Sequence, residues 1–185
     1  MGRKSGAAAT PAIAALRSAG VPHAVHTYEA GSDAYGAEAA QVLGDRLGVA
    51  PERVFKTLVV ATTRPPAGSR VALAVAVLPV TAQLDLKAAA AALDCGKAAM
   101  AAVDLAEKTT GYVAGGVSPL GQRRALATVV DESALGHATV FCSAGRRGWE
   151  IELAPEALVR LTGAVAAPVA ARRGPVADRL IDRRG

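Results

Sequence analysis

The 185-residue chain reads as a single α+β domain, a mixed and largely antiparallel sheet, barrel-like and surrounded by helices. Three observations carry that reading. Short apolar or alternating runs of strand length recur along the chain, with helix-patterned segments between them. Two of these runs, 55–62 and 71–78, flank the turn Arg64-Pro65-Pro66-Ala67-Gly68-Ser69-Arg70, which predicts a hairpin. No run leads into a βαβ phosphate fingerprint, so a doubly wound parallel sheet is disfavoured.

The elements follow in order. Thr10-Pro11 pairs an N-cap residue with proline at the first helical position; Ile13 and Leu16 continue the helix and Gly20 ends it. His23 to Tyr28 predicts a short strand. Its two histidines stand at i and i+3, which places them on opposite faces of a strand, and no cysteine or carboxylate cluster completes a ligand set. No metal and no cofactor are therefore expected. Gly31 to Gly36 reads as loop, and a helix spans 37–47 before Gly48. Pro79 closes the second strand of the hairpin, and Asp85 caps a helix reaching about Leu93. Asp104 and Glu107 resemble an N-cap and its N3 partner. Strands are expected at 127–130, 139–142 and 149–153, the last from alternation in Trp149-Glu150-Ile151-Glu152-Leu153. Pro155 to Leu161 forms the closing helix, with Gly163 beyond it.

The chemistry centres on Arg53-Val54-Phe55-Lys56-Thr57-Leu58-Val59-Val60. Apolar and β-branched residues stand on both sides of one lysine, as in a buried strand. Lysine is rarely buried without a partner. Lys56 either extends its stem to the rim and solvates, or faces a pocket that receives an anion or hydroxyl. Two glycine loops join it. Gly115-Gly116-Val117-Ser118-Pro119-Leu120-Gly121 presents backbone N–H groups suited to an oxygen-rich ligand, and Gln122-Arg123-Arg124 follows directly. Ser143-Ala144-Gly145-Arg146-Arg147-Gly148 is the second, with paired arginines.

Composition bounds the rest. The chain is 51% hydrophobic but only 3% aromatic, and no apolar window reaches the length of a membrane span. The N-terminus lacks the apolar core of a secretory signal. Cys95 and Cys142 stand apart with no C-x-x-C partner and read as free thiols of a reduced, cytoplasmic compartment. Residues 10–167 hold 14 basic and 14 acidic side chains, so the net charge of +5 sits at the ends: +2 over residues 1–9 and +3 over residues 168–185. Flexible basic tails are expected at 1–9 and 168–185, flanking one domain at 10–167. Such tails either add sequence-independent affinity for nucleic acid or serve solubility.

Several motifs together resemble the YbaK/EbsC family. They are Val54-Phe55-Lys56-Thr57-Leu58, Leu73-Ala74-Val75-Ala76-Val77, Gln83-Leu84-Asp85-Leu86-Lys87, Thr110-Gly111-Tyr112 with the first glycine loop, and Arg146-Arg147-Gly148 before Ile151-Glu152-Leu153. The similarity runs from about Thr10 to Pro168. Members of that family are editing deacylases, similar to the domain inserted in bacterial prolyl-tRNA synthetases, and share a mixed barrel wrapped by helices. The resemblance implies hydrolysis of cysteine from tRNA(Pro) in trans, with the tRNA 3′ end as substrate and prolyl-tRNA synthetase as a candidate partner. It assigns Lys56 and Gly115 to catalysis. It assigns Tyr28, Tyr35, Thr57, Gly116, Ser118, Ser143 and Glu150 to substrate binding, and Arg123, Arg124, Arg146 and Arg147 are candidates for tRNA phosphate.

Three positions depart from the family pattern: Ala144 stands for a glycine, Glu150 for an aspartate, and Ala30 for a histidine. The sequence holds no G-x-S-x-G elbow and no evident Ser/His/Asp set. Family members are thought to let the substrate thiol attack its own ester, which calls for orientation and charge stabilisation more than for a protein nucleophile. An alanyl-tRNA deacylase, and a non-catalytic tRNA- or synthetase-binding module of the same fold, are the competing readings.

Overall fold

Residues 9–31 and 35–171 are described by the computed structural model of the chain. Thr10 caps the first helix, α1 (Pro11–Ser18): its Oγ1 accepts the Ile13 N–H at 3.2 Å and donates to the Ala144 carbonyl. That one hydroxyl both starts the helix and ties it to a strand 134 residues away. Ala12, Ile13 and Leu16, on one helical face, enter the main core. The strand β1 (His23–Thr27) follows, then α2 (Tyr35–Leu47).

The hairpin forms as its turn predicts. β2 (Phe55–Thr62) pairs antiparallel with β3 (Leu73–Pro79), Phe55 opposite Pro79 and Ala61 opposite Leu73. Every residue of β3 is buried, which is why its sequence is a continuous apolar run with no alternation. Its two faces still differ. Ala74 and Ala76 meet the alanine-rich α3 (Leu86–Ala92), where small side chains allow close approach. Leu73, Val75 and Val77 face the main core with Ile13, Val130, Val140 and Ile151. Asp85 caps α3 through Oδ1, which accepts the Lys87 and Ala88 amides at 3.0 and 2.9 Å.

β4 (Ala98–Met100), α4 (Val103–Thr110), β5 (Ala127–Asp131), β6 (Val140–Arg146), β7 (Trp149–Leu153), α5 (Pro155–Thr162) and β8 (Val165–Ala167) complete the chain. Two sheets result, β1-β7-β6 and β4-β2-β3-β5-β8, the second mixed because β3-β5 and β5-β8 are parallel. A parallel bridge between Val54 and Phe141 brings the start of β2 beside β6. The architecture is the expected α+β arrangement of antiparallel and mixed sheets with helices around them. No helix of the described residues is long and apolar enough to cross a membrane.

Five local expectations need correction. Asp104 is not an N-cap: α4 begins at Val103 after Ala102, and Glu107 accepts the Ala114 N–H at 2.7 Å, so the carboxylate fastens the following loop rather than the helix start. Tyr35 and Gly36 belong to the first turn of α2, not to the preceding loop. Residues 143–146 belong to β6, which carries a bulge between Ser143 and Arg146; the turn itself is only Arg147-Gly148. The three-residue strands β4 and β8 have no sequence signal of their own, because partners elsewhere in the chain supply their hydrogen bonds. Finally, the stretch assigned to a C-terminal tail begins inside the fold. Val169 is fully buried, and Asp131 Oδ2 accepts the Val169 and Ala170 amides at 2.9 and 2.7 Å. The rest of both expected tails, 1–8 and 172–185, lies outside the described residues.

Candidate active site

Three strands and a loop converge on one cavity of about 230 Å3. The Val54–Phe141 bridge sets β2 parallel to the start of β6; two residues further along each strand stand Lys56 and Ser143. Ser143 is in register with Glu150 on β7. Thr57, Gly115 and Tyr35 complete the polar and aromatic part of the wall. Phe55, Leu58, Ala39, Val80 and Val117 supply the apolar part.

Lys56 is half-buried and lines the cavity. It donates to the Ala82 carbonyl and lies 3.5 Å from the Val80 carbonyl, both in the chain that leaves β3. Partial burial lowers its pKa from the ordinary lysine value. Among the described residues no carboxylate forms an ion pair with it. Two carbonyls account for two of its three N–H donors, and the third is available to a ligand.

Two further polar groups in the same cavity lack partners among the described residues. Thr57 Oγ1 is buried and makes no hydrogen bond. Glu150 is 8% exposed, and its carboxyl accepts no hydrogen bond; burial pushes its pKa up to about 8. Unpaired buried polar groups are costly and concentrate where a ligand completes them. Ser143 Oγ accepts the Gly145 N–H at 3.2 Å, and no histidine bonds it among the described residues.

Gly115 and Tyr35 form the opposite wall. Gly115 has φ +80°, and a Cβ there would stand 2.6 Å from the Tyr35 ring. Glycine is required both for the backbone conformation and for the space. Arg147 also stacks on the ring, its guanidinium 4.4 Å from the centroid and its Nε donating to the Ala114 carbonyl at 2.8 Å.

The remaining sequence candidates are not brought to the cavity. Gly116 packs against the backbone of Arg146 and Arg147, and its N–H is taken by the Val113 carbonyl at 2.9 Å. Ser118 is fully buried and its Oγ accepts the Leu120 N–H at 3.3 Å, so it shapes the loop interior. Tyr28 packs beside α2 and Phe141 and lines a separate hollow with Trp149 and Arg46. Burial first, then the Glu150 and Glu38 charges, push its phenol above the ordinary range. Arg123 donates to the Lys108 carbonyl at 3.2 Å, Arg124 lines a hollow with Arg70, and Arg146 stacks on Trp149 at 5.2 Å.

The Ala144 departure has a plain structural answer. Ala144 is buried within β6, and the left-handed conformation falls on Gly145 instead, with φ +90°. The carbonyls of Val80 and Ala82 were illegible in the sequence, because any residue offers a carbonyl and only the fold aims it. Among the described residues, no group of three or more His, Cys, Asp or Glu side chains could hold a metal ion.

Residues 33–161 match the family described as the aminoacyl-tRNA editing domain. The chain is 35% identical over 162 residues to the protein of Enterococcus faecalis named "Putative Cys-tRNA(Pro)/Cys-tRNA(Cys) deacylase EbsC", covering 88% of this chain and 93% of that one. Among solved structures, a protein described as hypothetical superposes with a TM-score of 0.73 at 26% identity, covering 88% of this chain and 100% of the other. A second, titled "Crystal structure of a putative trans-editing enzyme for prolyl tRNA synthetase", gives a TM-score of 0.71 at 23% identity, covering 88% and 96%; that likeness is one of fold.

Proposed function

Because the chain belongs to the aminoacyl-tRNA editing family and is an aminoacyl-tRNA deacylase, we propose that it removes cysteine from mischarged tRNA(Pro) in trans, with the Lys56 cavity as the ester site. One observation carries the reading. A lysine held by two carbonyls stands beside the unpartnered Thr57 and the buried Glu150 in a cavity that offers no activated protein nucleophile among the described residues. Cys142 is fully buried and does not line the cavity; burial first, then the Glu150 charge, raise its thiol far above the ordinary range. Ser143 Oγ accepts the Gly145 amide and bonds no histidine or carboxylate among the described residues.

The chemistry is then assigned to the substrate thiol. The thiolate sulfur attacks the ester carbonyl carbon, the bond to the ribose oxygen breaks, and that oxygen takes up a proton. The amino acid leaves as a cyclic thioester, which water opens to free cysteine. Lys56 uses its remaining N–H to hold ribose or phosphate oxygen, and Gly115 seats the Tyr35 ring that walls the cavity. Thr57 and Glu150 contact the aminoacyl group. Orientation of this kind replaces a bimolecular encounter with an intramolecular one. A synthetic site cannot strongly exclude a similar amino acid by binding alone, which is the reason such an editing step exists.

The test is single-turnover deacylation of Cys-tRNA(Pro), Ser-tRNA(Pro) and Ala-tRNA(Pro) at saturating enzyme. The expected result is fast release of cysteine only, because serine replaces the thiol by a weak nucleophile of similar size. Comparable rates for cysteine and serine would overturn thiol assistance. Preference for alanine would reassign the substrate, and no turnover of any ester would leave a tRNA-binding module.

A further inference from the structure

We propose that the single-stranded 3′ end of the tRNA leaves the ester cavity across the Tyr35–Arg147 stack and lays a base of its CCA on Trp149, in the hollow between β1, β7 and α2. The proposal rests on the ester-site reading above and adds where the nucleic acid runs. The hollow measures about 550 Å3 and is lined by Thr27, Tyr28, Glu29, Val42, Arg46 and Trp149. Two elements join it to the cavity. Helix α2 lines the cavity with Tyr35 and Ala39 and lines the hollow with Val42 and Arg46. The spacing 35, 39, 42, 46 keeps these four on one helical face. From Tyr35 to Val42 the helix rises about 10 Å, the length of about three stacked nucleotides at about 3.4 Å each. The β6–β7 turn is the second link. Arg147 stacks on Tyr35 at the cavity, and Arg146 stacks on Trp149 at the hollow. Gly148 beside them accepts the Tyr28 N–H at 2.8 Å, which fixes the turn against the chain leaving β1.

The chemistry of this surface is that of a single-strand site. The chain has three Tyr, two Phe and one Trp, and three of these six rings, Tyr28, Tyr35 and Trp149, lie along it. Bases stack on aromatic rings and on guanidinium planes, whatever their sequence. Arg46, Arg146 and Arg147 are exposed, and none forms an ion pair among the described residues. Arg46 donates to the Thr27 carbonyl at 3.2 Å, which holds its guanidinium at the hollow and leaves further N–H groups for phosphate. Glu29 is the one acid in the hollow's wall. The larger concavity that shares Lys56 with the cavity, about 890 Å3, suits a nucleotide strand less well. Its wall sets Glu52 against Lys56 and holds no aromatic ring among the described residues.

Trp149 is the only tryptophan in the chain, so its fluorescence reports on the hollow directly. The experiment titrates uncharged tRNA(Pro), intact or lacking its 3′-terminal CCA, into the full chain across a salt series. Intact tRNA should quench Trp149, and tRNA without CCA should bind more weakly and leave the emission nearly unchanged. Arg46→Ala with Arg146→Ala should weaken intact tRNA by about tenfold and flatten the log–log salt slope by about 1.4, two single-strand contacts at about 0.7 each. That loss should vanish when the CCA is removed. Glu29→Gln, which removes an exposed acid from the hollow, should tighten intact tRNA by about twofold, a gain that a folding defect cannot imitate. Thr81→Glu, an exposed change in the larger concavity, should leave quench and affinity as in wild type. A quench that does not depend on CCA, equal losses from the arginine pair with and without CCA, or a loss from Thr81→Glu in place of the arginine pair would each overturn the path. The tRNA is uncharged, so failure of deacylation and failure of this path are read separately.

Discussion

At the scale of single residues the site is defined by what its polar groups lack. Lys56 retains one unspent donor after its bonds to Val80 and Ala82. Lys56→Ala should lower single-turnover deacylation by roughly 100-fold or more, the range for removing one preorganised donor from a desolvated site. Thermal melting run alongside should show the variant folded; retained activity with a normal melt would remove Lys56 from the site. Glu150 carries a different signature. Its folded pKa is raised from 4.5 to about 8 by burial, so the native state holds a proton that the unfolded state has released. Stability is then unpenalised below about pH 4.5 and falls as pH rises toward 8, by up to about 1.4 kcal/mol per pH unit. Glu150→Gln should flatten that decline, read as a Tm difference from wild type that grows between pH 5 and pH 8 in the variant's favour. A constant difference across that window would mean the carboxyl is not buried alone.

At the scale of elements, the cavity depends on how the glycine loop meets α2. Tyr35 lies in the first turn of that helix, and its ring fills the space left by the missing Gly115 side chain. Gly115→Ala must place a Cβ in the left-handed region and displace the ring. The conformational cost alone is about 1–2 kcal/mol. The expected outcome is a lower Tm with a larger loss of deacylation than the Tm shift explains, since Tyr35 walls the cavity. Equal melting and activity in the variant would show that the loop yields freely. The start of β2 is braced on its other side. Arg53 donates to the Thr139 side chain and carbonyl and lies 3.5 Å from Glu152, which in turn meets His26 at 3.0 Å and Thr139 Oγ1 at 2.7 Å. This network links the 3-10 turn Pro51–Arg53 to β1, β6 and β7, and so holds the lysine strand against the sheet that bears Ser143 and Glu150.

At the scale of the molecule, the fold continues past Ala167 through Val169 and Ala170. Asp131 accepts from Ser133 as well as from Val169 and Ala170, and these hydrogen bonds keep its pKa low despite burial. A chain cut after Ala171 keeps every one of them. A chain cut after Ala167 strips the carboxylate of two amide donors and exposes the core around Val169. Hydrogen bonds to a charged group are worth about 1.5–3 kcal/mol each, so a fall of several degrees in Tm is expected. Identical melting of the two truncations would show that Asp131 does not anchor residues 169–170.

Sequence alone determined the elements whose cause is local. Thr10-Pro11, Asp85 and the turn at 64–70 specify their helix starts and hairpin through caps and turn residues that need no distant partner. The run around Lys56 and the other family motifs were legible for the same reason, since spacing along a strand is a local property. Tertiary structure decided what depends on distant partners. It made strands of 98–100 and 165–167 by pairing them, and it showed Ser118 turned into its own loop. It aimed the Val80 and Ala82 carbonyls at an ammonium, and it drew residues 169–171 out of an expected tail onto Asp131. Backbone groups look alike in every sequence. Which of them is satisfied, and by what, is decided only when segments far apart in the chain are packed together.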